Sequence, residues 1–327
     1  MSPFTRILVI GAAGQIGSEL TLVMRERYGA ANVVASDVHP LKDGPLKESG
    51  PHAALDIRDR SAIAALVQEH GCNCIVNLAA LLSATAEQHV QAAWEINIGG
   101  HYNTLEVARE LGLKQVFCPS SIAAFGPTTP RDNTPQSTVL EPTTIYGVTK
   151  VSGELLGNYY YQRFGVDCRG LRYPGIISSD TLPGGGTTDY AVDIFYQAIQ
   201  HGSYECFLRE DTMLPMMYMP DCIKCTLDLM EADRAKLSNA AGYNITAMSF
   251  TAGELAAEIR KHLPEFTITY VPDVRQNYAD SWPRSIDDSA ARSEWGWQHD
   301  FDMPSMVTDM LAKLTPRLKS NGAGEAG

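Results

Sequence analysis

A glycine-spaced turn wedged between a strand and a helix constrains this chain more than any other feature. Ile7-Leu8-Val9-Ile10 is a short β-branched run, Gly11-Ala12-Ala13-Gly14-Gln15-Ile16-Gly17 follows at once, and a helical apolar pattern covers Gln15–Tyr28. In a strand–turn–helix setting the first glycine permits the tight turn, the second lets a ligand approach backbone, and the third lets the helix lie close on the sheet. The alternation continues. Strand patterns are expected at Val33–Asp37, Ala53–Leu55, Ile75–Ala79 and Val116–Ser120. Helical patterns are expected at Ser61–His70 and Ala86–Leu111, and then Tyr146–Phe164 precedes a strand at Cys168–Arg172. Repeated βαβ units imply an α/β, Rossmann-like, doubly wound parallel sheet with helices on both faces. After Pro183-Gly184-Gly185-Gly186 the regular alternation stops. The expected organisation is a Rossmann domain over 1–183, a smaller α+β substrate-binding region over 184–315 with the chain crossing between them, and a frayed tail over 316–327.

The helix opening at Gln15 offers unpaired N–H groups and a positive dipole end to a phosphate. Asp37, twenty residues after Gly17 at the end of the second strand, can accept both hydroxyls of a ribose and would repel a 2′-phosphate. No arginine flanks it, so the expected cofactor is NAD rather than NADP; the plainer reading of Asp37 is a strand-end turn residue. Asp56 and Ile57, where a third strand should finish, and Leu78-Ala79-Ala80, at the end of the fourth, lie where ligands bind in such sheets.

Composition narrows the function classes. The chain has 327 residues with 26 Lys+Arg against 38 Asp+Glu, a formal net charge of −12. That deficit of cations argues against a nucleic-acid binder. No apolar run approaches the ~20 residues of a membrane span, and no secretory or transit pattern follows Met1, so a cytoplasmic protein is expected. Seven scattered cysteines suit reduced thiols. The Cys222-x-x-Cys225 spacing lacks a second ligand pair, so it reads as buried helix thiols, with Asp221 as helix N-cap and no metal site.

Tyr146-Gly147-Val148-Thr149-Lys150 is the sharpest chemical signal. On a helix, i and i+4 share a face, and an ammonium beside a phenol favours phenolate. Such a tyrosine can take the proton of an alcohol while hydride leaves the same carbon. The spacing also arises by chance as an exposed helical pair. Ser120-Ser121, about 25 residues upstream at a strand end, changes the odds by supplying a hydroxyl beside the phenol.

With GAAGQIG, NLAA, PSSIAAFG and YGVTK in this order, the chain resembles the extended, epimerase-like short-chain dehydrogenase/reductases from about Arg6 to Leu314. The resemblance implies an NAD-dependent oxidoreductase with Ser121 orienting the substrate, Tyr146 as acid/base, Lys150 as its partner and cofactor contact, and Asn97 in a proton relay. Asn97 otherwise reads as an unremarkable helical Asn. Tyr173 and Ile176 are implied beside the cofactor. Arg172-Tyr173-Pro174-Gly175-Ile176-Ile177 places Pro-Gly where sugar-nucleotide epimerases usually carry Asn. That strand end and the loop from Pro183 to Ala191 resemble the branch that oxidises L-threonine at its Cβ alcohol; a nucleotide-sugar epimerase or dehydratase is the alternative, and a redox-sensing regulator a more distant one. Ser83, Gly184, Thr187, Asp189 and Trp282 are then expected at the amino-acid substrate; the plainer readings are Thr188 or Asp189 as a helix cap and Ser83 as a loop hydroxyl. Gln276–Arg284 is expected to close over the substrate. The resemblance also implies a homodimer through the helices Ala86–Leu111 and Tyr146–Phe164, and a ligase that consumes the unstable product.

Overall fold

A computed structural model describes residues 4–182, 184 and 186–322. The central sheet has six parallel strands: β1 (Ile7–Ile10), β2 (Val33–Asp37), β3 (His52–Ala54), β4 (Cys74–Asn77), β5 (Gln115–Phe117) and, after β6 (Ser120–Ser121), β7 (Cys168–Arg169). Their order is β3-β2-β1-β4-β5-β7. All four residues of β1 and of β4 are buried, as expected for strands covered on both faces. One layer of the core packs Leu20, Met24 and Ile223 on one side of the sheet; the other packs Ile63, Val67 and Leu105. The chain runs outward in opposite directions from β1 and β4, which opens a crevice at their carboxyl ends.

The strand expected at Cys168–Arg172 is interrupted at Gly170. Its N–H donates to Ala240 O and its carbonyl accepts from Tyr243 N. Pairing therefore passes from β5 to a separate parallel ladder of β6, β8 (Leu171–Tyr173) and, later in the chain, β12 (Tyr243–Asn244). In the second half β9 (Gly175–Ile177) pairs with β11 (Met213–Tyr218), which pairs antiparallel with β13 (Met248–Thr251). β10 (Ser203–Cys206) pairs with β14 (Thr267–Tyr270). Helices Tyr190–His201, Ala252–Arg260 and Met303–Gly322 pack beside these strands around Phe195, Phe250, Leu255 and Met310.

Three expectations need correction. The helix over Ala86–Leu111 is broken into Ser83–Gln88, Val90–Trp94, a π-turn at Glu95–Gly99, and Gly100–Leu111. The break falls where His89 leaves helical backbone (φ −132°, ψ 57°), and the π-turn accommodates the hydrogen bonds of Asn97 described below. Asp221 does not cap its helix, Met219–Glu231; Tyr218 stands at the N-cap, and the Asp221 carboxylate instead accepts from Asp300 N and Phe301 N. Finally, the helix Met303–Gly322 continues through Pro316. Arg317 fastens it by donating to Ser179 O and the Tyr196 hydroxyl and by pairing with Asp180. Residues 323–327 of the expected tail lie outside the described residues.

Candidate active site

The crevice is a cleft of about 230 Å³. Its floor is the turn after β1. Gly11 has φ +83°, a left-handed conformation, and a Cβ there would meet Ala79 N at 2.7 Å. A Cβ on Gly17 would lie 2.1 Å from Gly11 O. The glycines thus bring helix, loop and β4 to backbone contact. Asp37 ties the same loop down: Oδ2 accepts from Ala13 N at 3.0 Å and Oδ1 from His39 N at 3.1 Å. Gln15 lines the cleft with a buried Nε2 that lacks a partner. A buried amide left unpaired is costly; an anionic ligand at the helix start would supply the missing acceptor. The turn, the dipole end and the open donor fit a dinucleotide pyrophosphate.

The same cleft is lined by Ser121, Tyr146 and Lys150. The helix Ile145–Phe164 begins at Thr144, whose hydroxyl accepts from Gly147 N, while Ile145 N donates to Glu87 Oε1. Tyr146 and Lys150 sit one turn apart, with Nζ 5.3 Å from the ring centroid. Lys150 Nζ donates to Pro119 O at 2.8 Å, which holds the ammonium beneath the phenol. Ser121 Oγ accepts from Ala123 N at 3.2 Å, leaving its own hydrogen to donate into the cleft. Asn97 Oδ1 accepts from Leu81 N, and its Nδ2 donates to Leu81 O and Thr149 Oγ1. This side chain clamps the β4 exit loop to the helix that carries Tyr146.

Of the residues expected from sequence, the cleft is lined by Gly11, Gly14, Gln15, Ile16, Gly17, Leu78, Ala80, Ser83, Ser121, Tyr146, Lys150, Tyr173, Ile176, Thr187, Asp189 and Trp282. Thr187 Oγ1 is buried without a partner. The Asp189 carboxylate makes no helix-cap bond; Oδ2 accepts from Gly186 N at 2.5 Å and closes the loop ahead of the helix Tyr190–His201. Trp282 is held from behind by Arg131 Nε donating to its carbonyl at 3.1 Å. The Tyr173 hydroxyl is turned away to Thr226 Oγ1, and burial pushes its pKa up.

Other expected residues are not in the cleft lining. Ala79 and Asn97 line a neighbouring cavity of about 30 Å³. Asp56 is turned onto Arg58, whose Nε and Nη2 bond it at 3.0 Å and 2.6 Å, and this holds its carboxyl below the usual range. Ile57 is buried under Gly100. Gly184 is exposed, 3.6 Å (from an added Cβ) to Leu82, while Pro183 and Gly185 lie outside the described residues. Leu82, Pro119, Ser120, Ile122, Pro174, Gly175, Gly186 and Thr188 also line the cleft. Ser120, Pro174, Gly175, Gly186 and Thr188 had been named in the sequence without being assigned to the site; Leu82, Pro119 and Ile122 were not singled out, though most adjoin expected residues.

Cys222 and Cys225 are buried thiols; Cys225 Sγ donates to Cys222 O at 3.1 Å, and burial raises the pKa of both. Among the described residues no group of three or more His, Cys, Asp or Glu is placed to hold a metal. None of their helices is long and apolar enough to cross a membrane.

Residues 7–246 match the model of the NAD dependent epimerase/dehydratase family. The chain belongs to that family. It is 51% identical over 307 residues to "L-threonine 3-dehydrogenase, mitochondrial" of Bos taurus, covering 94% of this chain and 82% of the bovine one. The holo form of a GalE-like L-threonine dehydrogenase from Cupriavidus necator superposes with a TM-score of 0.92 at 53% identity, over 94% of this chain and 99% of that one. A monomeric L-threonine 3-dehydrogenase from a metagenome superposes with a TM-score of 0.91 at 44% identity, over 95% and 99%.

Proposed function

We propose that the chain is a metal-independent, NAD-dependent L-threonine 3-dehydrogenase. It oxidises the Cβ alcohol of L-threonine to the ketone of L-2-amino-3-oxobutanoate. The observation that supports this reading is the content of one cleft: Ser121, Tyr146 and Lys150 line it together with the unpartnered Thr187 hydroxyl and Asp189. Lys150 is the sole cationic side chain among the described residues lining it. A sugar diphosphate asks for more positive charge than that; a small zwitterion does not.

The chain's own groups divide the work. Ser121 donates to the substrate hydroxyl oxygen and fixes it against the phenol. Tyr146, as phenolate, accepts the hydroxyl proton as the C–H bond at Cβ is lost as hydride. The Lys150 ammonium favours that phenolate. Asn97 holds Lys150's helix to the β4 exit loop through Thr149 and Leu81. Thr187 and Ser83 hydrogen-bond the carboxylate, and Asp189 sets negative charge near the ammonium. Bound NAD⁺ supplies the hydride acceptor. Gly11, Gly14, Gln15, Ile16 and Gly17 would hold its pyrophosphate, Asp37 the adenosine ribose, and Leu78, Ala79, Ala80, Lys150, Tyr173 and Ile176 the nicotinamide half. Trp282 and the loop around Gly184 and Gly186 close over the substrate and exclude water.

The enzyme acts as a homodimer in this reading. Trp94, Tyr102, Val148, Leu155, Tyr159 and Phe164 leave a third to two-thirds of their surface exposed on the two adjacent helical runs. Burial of such exposed apolar side chains against a second copy of the chain supports this reading. Seven unpaired cysteines suit the cytoplasm.

The experiment compares NADH formation by the purified protein with L-threonine and with UDP-galactose. NADH formed in step with threonine consumption is expected. Turnover of the nucleotide sugar without threonine oxidation would replace this reading with an epimerase.

A further inference from the structure

Behind Tyr146 and Lys150 the same helix carries a third charged group, Glu154, which the reaction does not use directly. Tyr146, Lys150 and Glu154 follow at i, i+4 and i+8, hence on one face. The Glu154 side chain is only 7% exposed, as is that of Arg172 on β8. Arg172 takes both carboxylate oxygens, with Nε to Oε1 at 2.9 Å and Nη2 to Oε2 at 2.8 Å. Its remaining nitrogen, Nη1, donates to Gln136 O and Asn244 Oδ1. Ser120 Oγ donates to Glu154 Oε1 at 2.5 Å. Lys150, one turn earlier, donates to Pro119 O. Successive turns of the helix therefore grip successive residues, Pro119 and Ser120, immediately before Ser121.

Lys150, Glu154 and Ser120 also share the 30 Å³ cavity behind the cleft. The other titratable groups facing it carry no charge near neutral pH. His101, from Gly100–Leu111, has its pKa lowered to about 4 by burial and by Lys150, and burial raises that of the Cys118 thiol. The charges that matter are Lys150, Glu154 and Arg172. A carboxylate one turn from an ammonium is a ready partner for it, and here it is engaged elsewhere. Stability gives a weak reason for such a buried pair, since well-packed apolar residues serve as well.

We propose that Glu154 is a positioning residue for the reaction and that Arg172 is its keeper. Glu154 pins Ser120, and so the strand end that presents Ser121, to the helix of Tyr146. Arg172 occupies both carboxylate oxygens and so keeps this anion from pairing with Lys150. The inference rests on the reading that Tyr146 is the acid/base of threonine oxidation.

The test is the pH profile of kcat/KM for L-threonine at saturating NAD⁺, for the wild type, Arg172→Met, Glu154→Gln and the double variant. In Arg172→Met the carboxylate is released toward Lys150, the phenolate is less favoured, and the acid limb moves up by about one pH unit, tenfold in rate at a fixed pH on that limb. In Glu154→Gln the anion is gone, so the limb stays or moves down. The double variant returns the limb to within about 0.3 unit of wild type, because no anion remains to be released. A general loosening of the fold would move both single variants alike and would not be reversed in the double. The proposal is overturned if the Arg172→Met limb stays put, if both single variants move up, or if the double keeps the shift. Should Arg172→Met not fold, Arg172→Lys carries the same test, with a smaller upward shift expected and no shift overturning the proposal. Absence of threonine-dependent NADH in the wild type would sink the functional reading instead, which separates the two failures.

Discussion

Two glycines of the β1 turn should respond to the same methyl group in different ways. Gly17 gives its helix contact with the turn: an added Cβ would stand 2.1 Å from Gly11 O and 3.0 Å from Ala12 Cα. A carbon and a carbonyl oxygen ordinarily stay about 3.3 Å apart, so helix and turn must separate by roughly 1 Å. Overpacking of this size costs about 1–3 kcal/mol, and Gly17→Ala should unfold a few degrees below wild type without any ligand. Gly14 differs. Its backbone is extended (φ −72°, ψ 172°), and an added Cβ would have only Gly11 O nearby, at 3.4 Å. Gly14→Ala should therefore keep its melting temperature, or gain up to ~1 kcal/mol from a less flexible unfolded chain. The methyl would nevertheless occupy the side from which a pyrophosphate approaches, and NAD affinity should fall at least tenfold, ~1.4 kcal/mol. Thermal denaturation of the ligand-free variants and NAD titration by calorimetry read the two effects separately. If Gly14→Ala binds NAD as tightly as wild type, the turn is not the phosphate cradle. If Gly17→Ala melts with wild type, the close-approach argument is wrong.

Three further outcomes follow from particular groups. Thr187→Val removes a buried hydroxyl that has no partner in the protein; stability should hold or rise by ~1 kcal/mol, while KM for threonine rises about tenfold in steady-state assays as the hydrogen bond to substrate is lost. Glu106 is hydrogen-bonded by Arg109 and Tyr160, which with Arg60 pulls its pKa down from 4.5 to about 2. A depressed carboxylate stabilises fully above its unfolded value, and that contribution disappears as pH falls from about 4.5 to about 2. Urea midpoints should drop across that window in the wild type and drop less in Glu106→Gln. Leu155→Glu places charge on a side chain 65% exposed on the proposed dimer face, so sedimentation should shift toward monomer; an unchanged dimer would place the interface elsewhere.

The sequence revealed what is local. The turn from Gly11 to Gly17 and the helix Gln15–Tyr28 could be read directly because turn, cap and period lie within a few residues. Asp37 was legible as a strand end, and Tyr146 with Lys150 as one helix face. What was misread depends on partners that sequence spacing does not show. Asp56 is captured by Arg58 only because both leave β3 in a tight turn. Asp221 reaches backbone near residue 300, and the helix that runs on past Pro316 is fastened by Arg317 reaching Ser179. Asn97 was singled out, but its clamp on Leu81 sits on a π-turn that no apolar period signals. The i, i+4, i+8 spacing put Glu154 on the face of Tyr146 and Lys150 but did not show its partners: Arg172 arrives from a strand, and Asn244 from the far half of the chain.

The central claim is that the phenol of Tyr146, with Ser121 and Lys150, removes the proton of the threonine alcohol. Replacing it by Phe and following NADH formation from L-threonine, with NAD binding measured on the same preparation, tests that most directly. A rate loss of roughly 10²–10⁴ with NAD affinity within a few-fold of wild type is the result expected. Turnover close to wild type in Tyr146→Phe would contradict it.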